Sequence, residues 1–472
     1  MFHKVYPANN PFHCFYSNKT IMRETVCIHV GQCGNQIGNQ FWNQLLHEHE
    51  HTADDDESLS AFFRFVPQRN GTKAMKARAL LIDMESGPLK ETMRSPLGSL
   101  FEDTQFVTDA GEYGSGNNFA RGHFMYGPEY RNKFEEGIRR NAEHCDSLQT
   151  FLVTHSLGGG TGSGVGTYML EMLSEEYPKI CRFSTCVYPS ENNDVVTSPY
   201  NVILASSELI EHADCVFPLD NTALFAFAQR EKQQLSGKKG AAAAEDQPSF
   251  TGNTQNSKTG KSRDRGFDAI NTVAARMLCH LTSSSRFHGE MNVDLNEIYT
   301  NLIPYPKLHF LITALSLQQP AQTPALQHGS AGAARDMARH GARAALQRAF
   351  GDVLAERGQI AAALPVQIPS PQSHLIDPSG ASNRQQVGCV TLSSAFLARG
   401  RSDAVPLTDF IDCVTSAQRS LRFPTWNQNA CKVRKGKDLT LVPSHAVLLL
   451  LVTLIILYIR LACAELLHLA NT

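Results

Sequence analysis

The twelve cysteines of this chain include no Cys-x-x-Cys pair, and no matched His/Cys cluster accompanies them. The missing pattern argues against a structural zinc site and leaves reduced cytosolic thiols as the simplest reading. Charge of one sign is lacking too. The formal net charge is −2, whereas a dedicated nucleic-acid binder is clearly basic, so no nucleic-acid partner is expected. Residues 1–21 lack the apolar core of a signal peptide. A membrane span needs roughly twenty apolar residues; the mostly apolar run Ala446–Ile459 is 14 long and meets Arg460. Extension past Arg460 to residue 464 leaves a short membrane anchor only as an alternative. No Ser/His/Asp or Cys/His grouping stands out, which sets aside a metabolic hydrolase. His47, His49 and His51 fall in a polar, acidic run and read as a solvated helix end or loop rather than metal ligands.

What is present is ordinary in bulk and specific in detail. The chain is 472 residues long, 42% hydrophobic and 19% charged, values of a globular protein with room for about two to three domains. Ser156 to Gly164 holds five glycines in nine residues. An apolar strand pattern, Phe151 to His155, precedes it, and an amphipathic helix pattern through Val165, Tyr168, Met169, Met172 and Leu173 follows. Strand, glycine loop and helix let backbone N–H groups wrap a phosphate at a helix N-terminus. Glycine is required because a Cβ would block the anion's approach. No Gly-Lys-Ser/Thr follows these glycines and none has G-x-G-x-x-G spacing, so the loop is neither a P-loop nor a dinucleotide fingerprint. A second glycine segment, Val30-Gly31-Gln32-Cys33-Gly34-Asn35-Gln36-Ile37-Gly38, follows an alternating strand at Val26, Ile28 and Val30 and opens another helix.

The order Gly158-Gly159-Gly160-Thr161-Gly162-Ser163-Gly164 resembles the phosphate loop of the tubulin and FtsZ family, and Val30 to Gly38 resembles the first nucleotide loop of eukaryotic tubulins. The words Tyr188-Pro189-Ser190-Glu191-Asn192-Asn193, Glu211-His212-Ala213-Asp214-Cys215 and Met291-Asn292-Val293-Asp294 are similar to the epsilon branch of that family. The resemblance implies an α/β fold: a parallel-sheet nucleotide-binding domain joined by a core helix to a smaller α/β sandwich domain, with the family's C-terminal helices missing. It also implies GTP and Mg²⁺ as cofactors, other tubulins in longitudinal contact and centriolar proteins as partners, and a place in cytoplasm, cytoskeleton, centriole, basal body and centrosome.

By the same resemblance, Gln32 and Cys33 present N–H groups to the nucleotide. Gly159, Gly160, Thr161 and Gly162 cradle the inner phosphates beside Ser156, and Asn117 in the Gly114-Ser115-Gly116-Asn117-Asn118 turn donates to the terminal one. Asp194 is the ribose-side acid; Asn221 and Asn271 read guanine and Phe267 stacks on it. Ser198 stands where alpha- and beta-tubulins carry a glutamate that holds the ribose. Asp83 and Glu85 end a strand as paired acids. Alone such a pair reads as a solvated turn, but beside a glycine loop its hard oxygens suit Mg²⁺. Glu297 is the catalytic candidate, an acid that in tubulins reaches the neighbouring subunit's nucleotide and orients water.

Along the chain, residues 1–21 read as an extension before a start at Met22. Residues 22–231 are the nucleotide domain, 232–265 a polar flexible insertion, and 266–432 the core helix and intermediate domain. The resemblance ends near Lys432, and residues 433–472 read as a divergent apolar tail of intron origin. Strands are expected at 79–84, 182–189, 307–317, 390–397 and 421–426, and helices at 344–354 and 405–420.

Overall fold

The computed structural model describes residues 23–49, 59–67, 73–109, 111, 114–190, 195–235, 261–287, 289–291, 294–303, 305–317, 331–354, 358–361, 391–400, 407–421, 423, 431–437 and 446–453. A six-stranded sheet carries the first half. Its strands are β1 (Glu24–Val30), β4 (Ala79–Asp83), β5 (Phe106–Thr108), β6 (Leu148–Ser156), β7 (Cys181–Tyr188) and β8 (Cys215–Asp220). β2 (Phe63–Pro67) and β3 (Lys73–Ala77) form a separate antiparallel hairpin that the sequence reading passes over.

The large sheet has the order β5-β4-β1-β6-β7-β8. Every pair in it is parallel. Parallel strands must be covered on both faces, which explains why all seven residues of β1 are buried. Cys27 faces one core with Ile37, Phe41, Trp42 and Leu45 of α1 (Gly31–His49). Val26 and Ile28 face the other core. Its helices are α3 (Gly127–Glu143), α4 (Gly166–Glu176) and α5 (Ser198–His212). Each fully buried Leu, Phe or Ile there contributes about 1.5–3 kcal/mol. The chain runs from β1 outward to β5 and then returns to β6 beside β1. That reversal makes a topological switch point, and a crevice opens there at the carboxyl ends of the strands.

Short α2 (Ser86–Arg94) follows β4, and α6 (Asn221–Leu235) follows β8. α7 (Lys261–Leu281) packs Val273, Met277, Leu278 and Leu281 into the same core as α1. That core continues into Leu311, Leu315, Leu392 and Leu397 of a second sheet, which fits the expected joining helix. The second sheet has β10 (Leu311–Leu315), β11 (Thr391–Gly400), β12 (Cys431–Lys437), β13 (Ala446–Thr453) and β9 (Gly289–Met291), in the order β10-β13-β11-β12-β9. α8 (Leu295–Leu302) follows β9; α9 (Ala331–Leu354) and α10 (Leu407–Ser420) close the other face around Phe350, Phe396 and Phe410.

Most of the differences from expectation lie in the second half. The helix expected at 344–354 begins at Ala331. The strand entry expected at 421–426 is absent among the described residues 421 and 423, and the next strand is Cys431–Lys437. Helices enter the expected insertion from both ends, to Leu235 and from Lys261; 236–260 lie outside the described residues. The apolar run from Ala446 is a strand, hydrogen-bonded antiparallel to β10 on one side and β11 on the other. Among the described residues no helix is long and apolar enough to cross a membrane. The remainder of 446–464 beyond Thr453, like residues 1–22, is outside them. His49, expected to be solvated, is buried against Phe287, with ring centroids 4.7 Å apart.

Candidate functional site

Three segments meet at the switch point. β1 ends at Val30, and Gly31 turns the chain into α1 with φ +75°. A Cβ there would sit 3.1 Å from the nitrogen of Gly162, so only glycine lets the two loops abut without strain. Gln32 is exposed at this helix start and Cys33 half-buried. Burial pushes the Cys33 thiol up to about 12, so it is a neutral side chain and not a nucleophile.

β6 ends at Ser156 and delivers the glycine run. Thr161–Val165 forms a π-helical turn that continues as α4. From the other side comes the turn 114–118, held against the glycine run by the Ser115 and Thr161 hydroxyls, 2.8 Å apart. A Cβ on Gly160 would lie 2.5 Å from the Asn118 nitrogen. A Cβ on Gly159, by contrast, would among the described residues have only Ser156 Oγ and Asn117 Oδ1 near it, at 3.8 and 3.9 Å. Among the described residues, Gly159 therefore has room for a group between the side chains of Ser156 and Asn117.

Asp83 ends β4 at the crevice edge. It is 3% exposed, and its Oδ2 has no hydrogen-bond partner among the described residues. Oδ1 accepts a 3.3 Å bond from the Glu85 nitrogen. Burial raises the Asp83 carboxyl to about 7. An orphaned buried carboxylate oxygen is costly unless a cation or donor meets it. Glu85, two residues on, lies against the turn 114–118, where a Cβ on Gly114 would be 2.5 Å from its Oε1; two acids at a strand end beside a glycine turn suit a hard divalent cation.

Parallel strands, a phosphate-type loop at the switch point and a buried acid at the carboxyl end of β4 thus lie at one end of the sheet. Residues 24–229 match the model of the Tubulin/FtsZ family, GTPase domain. The chain carries a GTPase domain of the tubulin/FtsZ family. The tubulin epsilon chain of Mus musculus is 45% identical over 308 residues, covering 62% of this chain and 64% of that protein. That of Homo sapiens is 45% identical over 309 residues with the same shares. The tubulin alpha-3 chain of Saccharomyces cerevisiae is 37% identical over 302 residues, covering 61% and 60%. The chain thus spans less than two thirds of the length of the relatives it matches.

A second wing of this tubulin-family domain gathers the other expected residues. Asn221 opens α6, and Phe225, one turn on, meets Phe267 of α7 edge-on with ring centroids 6.0 Å apart. Phe267 is 40% exposed, so a planar ligand has access to it. Asn271, also on α7, is buried and donates to Gln36 of α1 at 3.4 Å. α1 therefore links the phosphate wing to this one. Ser198 is buried at the start of α5. Asp194 lies outside the described residues.

Glu297 is not in the crevice. It stands exposed in the first turn of α8, completing a capping box with Asp294. Asp294 in turn accepts from Arg23, the residue before β1. α8 is therefore at the amino ends of the strands, a whole strand length of roughly 20 Å from the loops.

Two buried supports went unread in the sequence. His155 is wholly buried beneath the glycine run, with Nδ1 2.9 Å from the Gly162 carbonyl and Nε2 2.9 Å from Ser184 Oγ. Burial lowers it to about 4, so the ring is neutral at neutral pH. A carbonyl only accepts, so Nδ1 carries the single proton and Nε2 accepts from Ser184. Asn201 of α5 holds the turn 114–118. The only sequence signal for either was a polar residue within an apolar pattern.

Proposed function

We propose that this chain is a GTP-binding tubulin of the epsilon type, a structural component of microtubules that acts in organising those of centrioles and basal bodies. The observation that carries GTP binding is the convergence of the Gly31, Gly159 and Asn117 segments at the switch point, with Asp83 at the carboxyl end of β4, the strand next to β1. In this reading Gly159, Gly160, Thr161 and Gly162 hold the inner phosphates, with Gln32, Cys33 and Ser156 around them. Asn117 meets the terminal phosphate, Asp194 the ribose, and Asn221, Asn271 and Phe267 the base. Asp83 and Glu85 hold Mg²⁺, which when bound supplies charge neutralisation at the phosphates. The epsilon assignment rests on the 45% identity with tubulin epsilon chains, and the centriolar role on the resemblance of the sequence motifs to that branch.

GTP turnover is proposed at a subunit contact. Glu297 sits at the far end of the sheet from the loops of its own chain, so it serves a nucleotide only on a neighbouring subunit stacked end to end. Exposed Phe124, Met125, Val196 and Tyr200 border the phosphate loops and suit burial under such a neighbour. The test is Glu297→Gln, which keeps the capping box and removes the carboxylate. Assembled protein is expected to lose about 10²-fold or more of its GTPase rate, the scale of a lost water-orienting group. Undiminished hydrolysis in assembled Glu297→Gln would remove the role.

A second reading, GTP held without turnover, is favoured by the engagement of Glu297 in the cap of α8. Co-sedimentation with microtubules, with and without GTP, separates a polymerising subunit from a soluble GTP holder.

A further inference from the structure

Asn201 sits on α5, 3% exposed, with every polar position of its amide used. Nδ2 donates to the Asn117 carbonyl at 2.8 Å and to the Gly158 carbonyl at 2.9 Å. Oδ1 accepts from the Phe119 nitrogen at 3.0 Å. One side chain therefore binds the C-terminal end of the turn that carries Asn117, on either side of Asn118, and the glycine run across from it. Thr197, one turn earlier on the chain, donates to the same Asn117 carbonyl at 2.7 Å.

That carbonyl belongs to an unusual backbone. Asn117 has φ +52°, the one non-glycine positive φ among the described residues, and Gly114 and Gly116 beside it have +60° and +56°. Asparagine visits this region more readily than other non-glycine residues, and fixed contacts hold it there. Two donors on the Asn117 carbonyl, Asn201 of α5 and Thr197 just before that helix, supply the hold, and the bond to Gly158 fixes the distance from turn to glycine run. Ser115 with Thr161, and Tyr126 Oη donating to the Gly114 carbonyl at 3.2 Å, anchor the turn's opposite end.

We infer that Asn201 is a positioning residue, assisted by Thr197, that sets the preference of the site for a nucleoside triphosphate over a diphosphate. The inference rests on the proposed nucleotide reading of the crevice and deepens it. The inner phosphates meet the glycine run, which loses the Asn201 bond to Gly158 but keeps His155 beneath Gly162 and the Ser115 contact to Thr161. Only a group reaching the Asn117 turn is sensitive to where that turn stands. Loss of the clamp therefore lowers affinity for the triphosphate and spares the diphosphate.

The experiment measures GTP and GDP affinities by competition against a fluorescent nucleotide, with the full chain as wild type, Asn201→Ala and Thr197→Val. Circular dichroism melts run beside it. Thr197 is exposed, so its variant keeps the fold and decides the matter if Asn201→Ala does not fold. The expected result is a GTP-to-GDP preference reduced about tenfold in Asn201→Ala and about threefold in Thr197→Val, the scale of one or two lost hydrogen bonds, with GDP affinity within about twofold of wild type. A merely structural role would lower both affinities together. An equal loss, or an unchanged ratio in folded variants, overturns the inference and leaves nucleotide binding standing. A wild-type chain that binds neither nucleotide overturns both.

Discussion

At the scale of single residues, Asp83 is the group whose chemistry depends most on what occupies the crevice. Burial holds its carboxyl at about 7, against 3.8 when free. The shift is upward, so the folded protein favours the protonated form. The stabilising effect of that proton is complete below pH about 3.8 and is lost as pH rises to about 7. A bound divalent cation reverses the preference by demanding the ionised form. Mg²⁺ affinity measured by titration with GTP present is therefore expected to fall as pH drops below about 7, by up to about tenfold per unit. Asp83→Asn should weaken Mg²⁺ binding and flatten that pH dependence. A wild-type profile that is already flat between pH about 8 and about 6 contradicts the assignment.

Among elements, the joint between β6 and α4 is the one that a single buried ring decides. The glycine run has little side-chain material to fix it, so its shape comes from backbone contacts and from His155 below. The Nδ1–H bond to Gly162 pins the loop to the strand, and the Ser184 hydroxyl pins the ring to β7. His155→Leu leaves the Gly162 carbonyl and Ser184 without this partner, at an expected cost of about 1–3 kcal/mol in urea unfolding. His155→Asn puts an amide N–H near the place of Nδ1 and is expected to recover most of the nucleotide affinity that His155→Leu loses. Amide exchange across residues 157–164 is the direct readout, fast in the Leu variant and slow in Asn. Equal protection in both would show that the ring only fills space.

The whole molecule is joined by a buried charge cluster distant from the crevice. Glu48, near the end of α1, receives Arg286 at 2.7 Å and Arg399 of β11 at 3.1 Å. Arg286 also donates to the Cys279 carbonyl at 2.8 Å and lies over the Phe287 ring, 5.0 Å from its centroid. One carboxylate thus ties the nucleotide sheet's first helix to the second sheet. Burial pushes the Glu48 carboxyl up, but Arg286 and Arg399 outweigh it and hold it at about 2. The cluster's contribution is full above pH about 4.5 and is lost as pH falls toward about 2. Arg286→Met removes one cation and leaves the other ions buried. It is expected to cost about 3–5 kcal/mol in urea denaturation. A loss below about 1 kcal/mol, the value of a surface pair, would mean that the cluster does not join the halves.

The parallel sheet, its glycine loops, the strand-end acids and the order of these parts were determined by the sequence alone. Each is a local signal: an apolar run that must be covered on both faces, or glycines where a Cβ would clash. Asn117, Ser156 and Gly159 were legible for that reason, because they stand in such loops. Asn201 was not, because its partners Asn117 and Gly158 lie 84 and 43 residues away and a helix asparagine looks like any other. The pairing of Glu48 with Arg399 spans 351 residues and has no sequence pattern at all. The run from Ala446 is the plainest case. Uniformly apolar residues have no period to tell strand from helix, so only β10 and β11, which present unpaired backbone on either side, decided that it is a strand. Glu297 was legible as an acid of interest, but its separation from the loops of its own chain was set by the length of the strands between them. Local chemistry is written in neighbouring residues, while distance and partnership exist only once the chain has closed on itself.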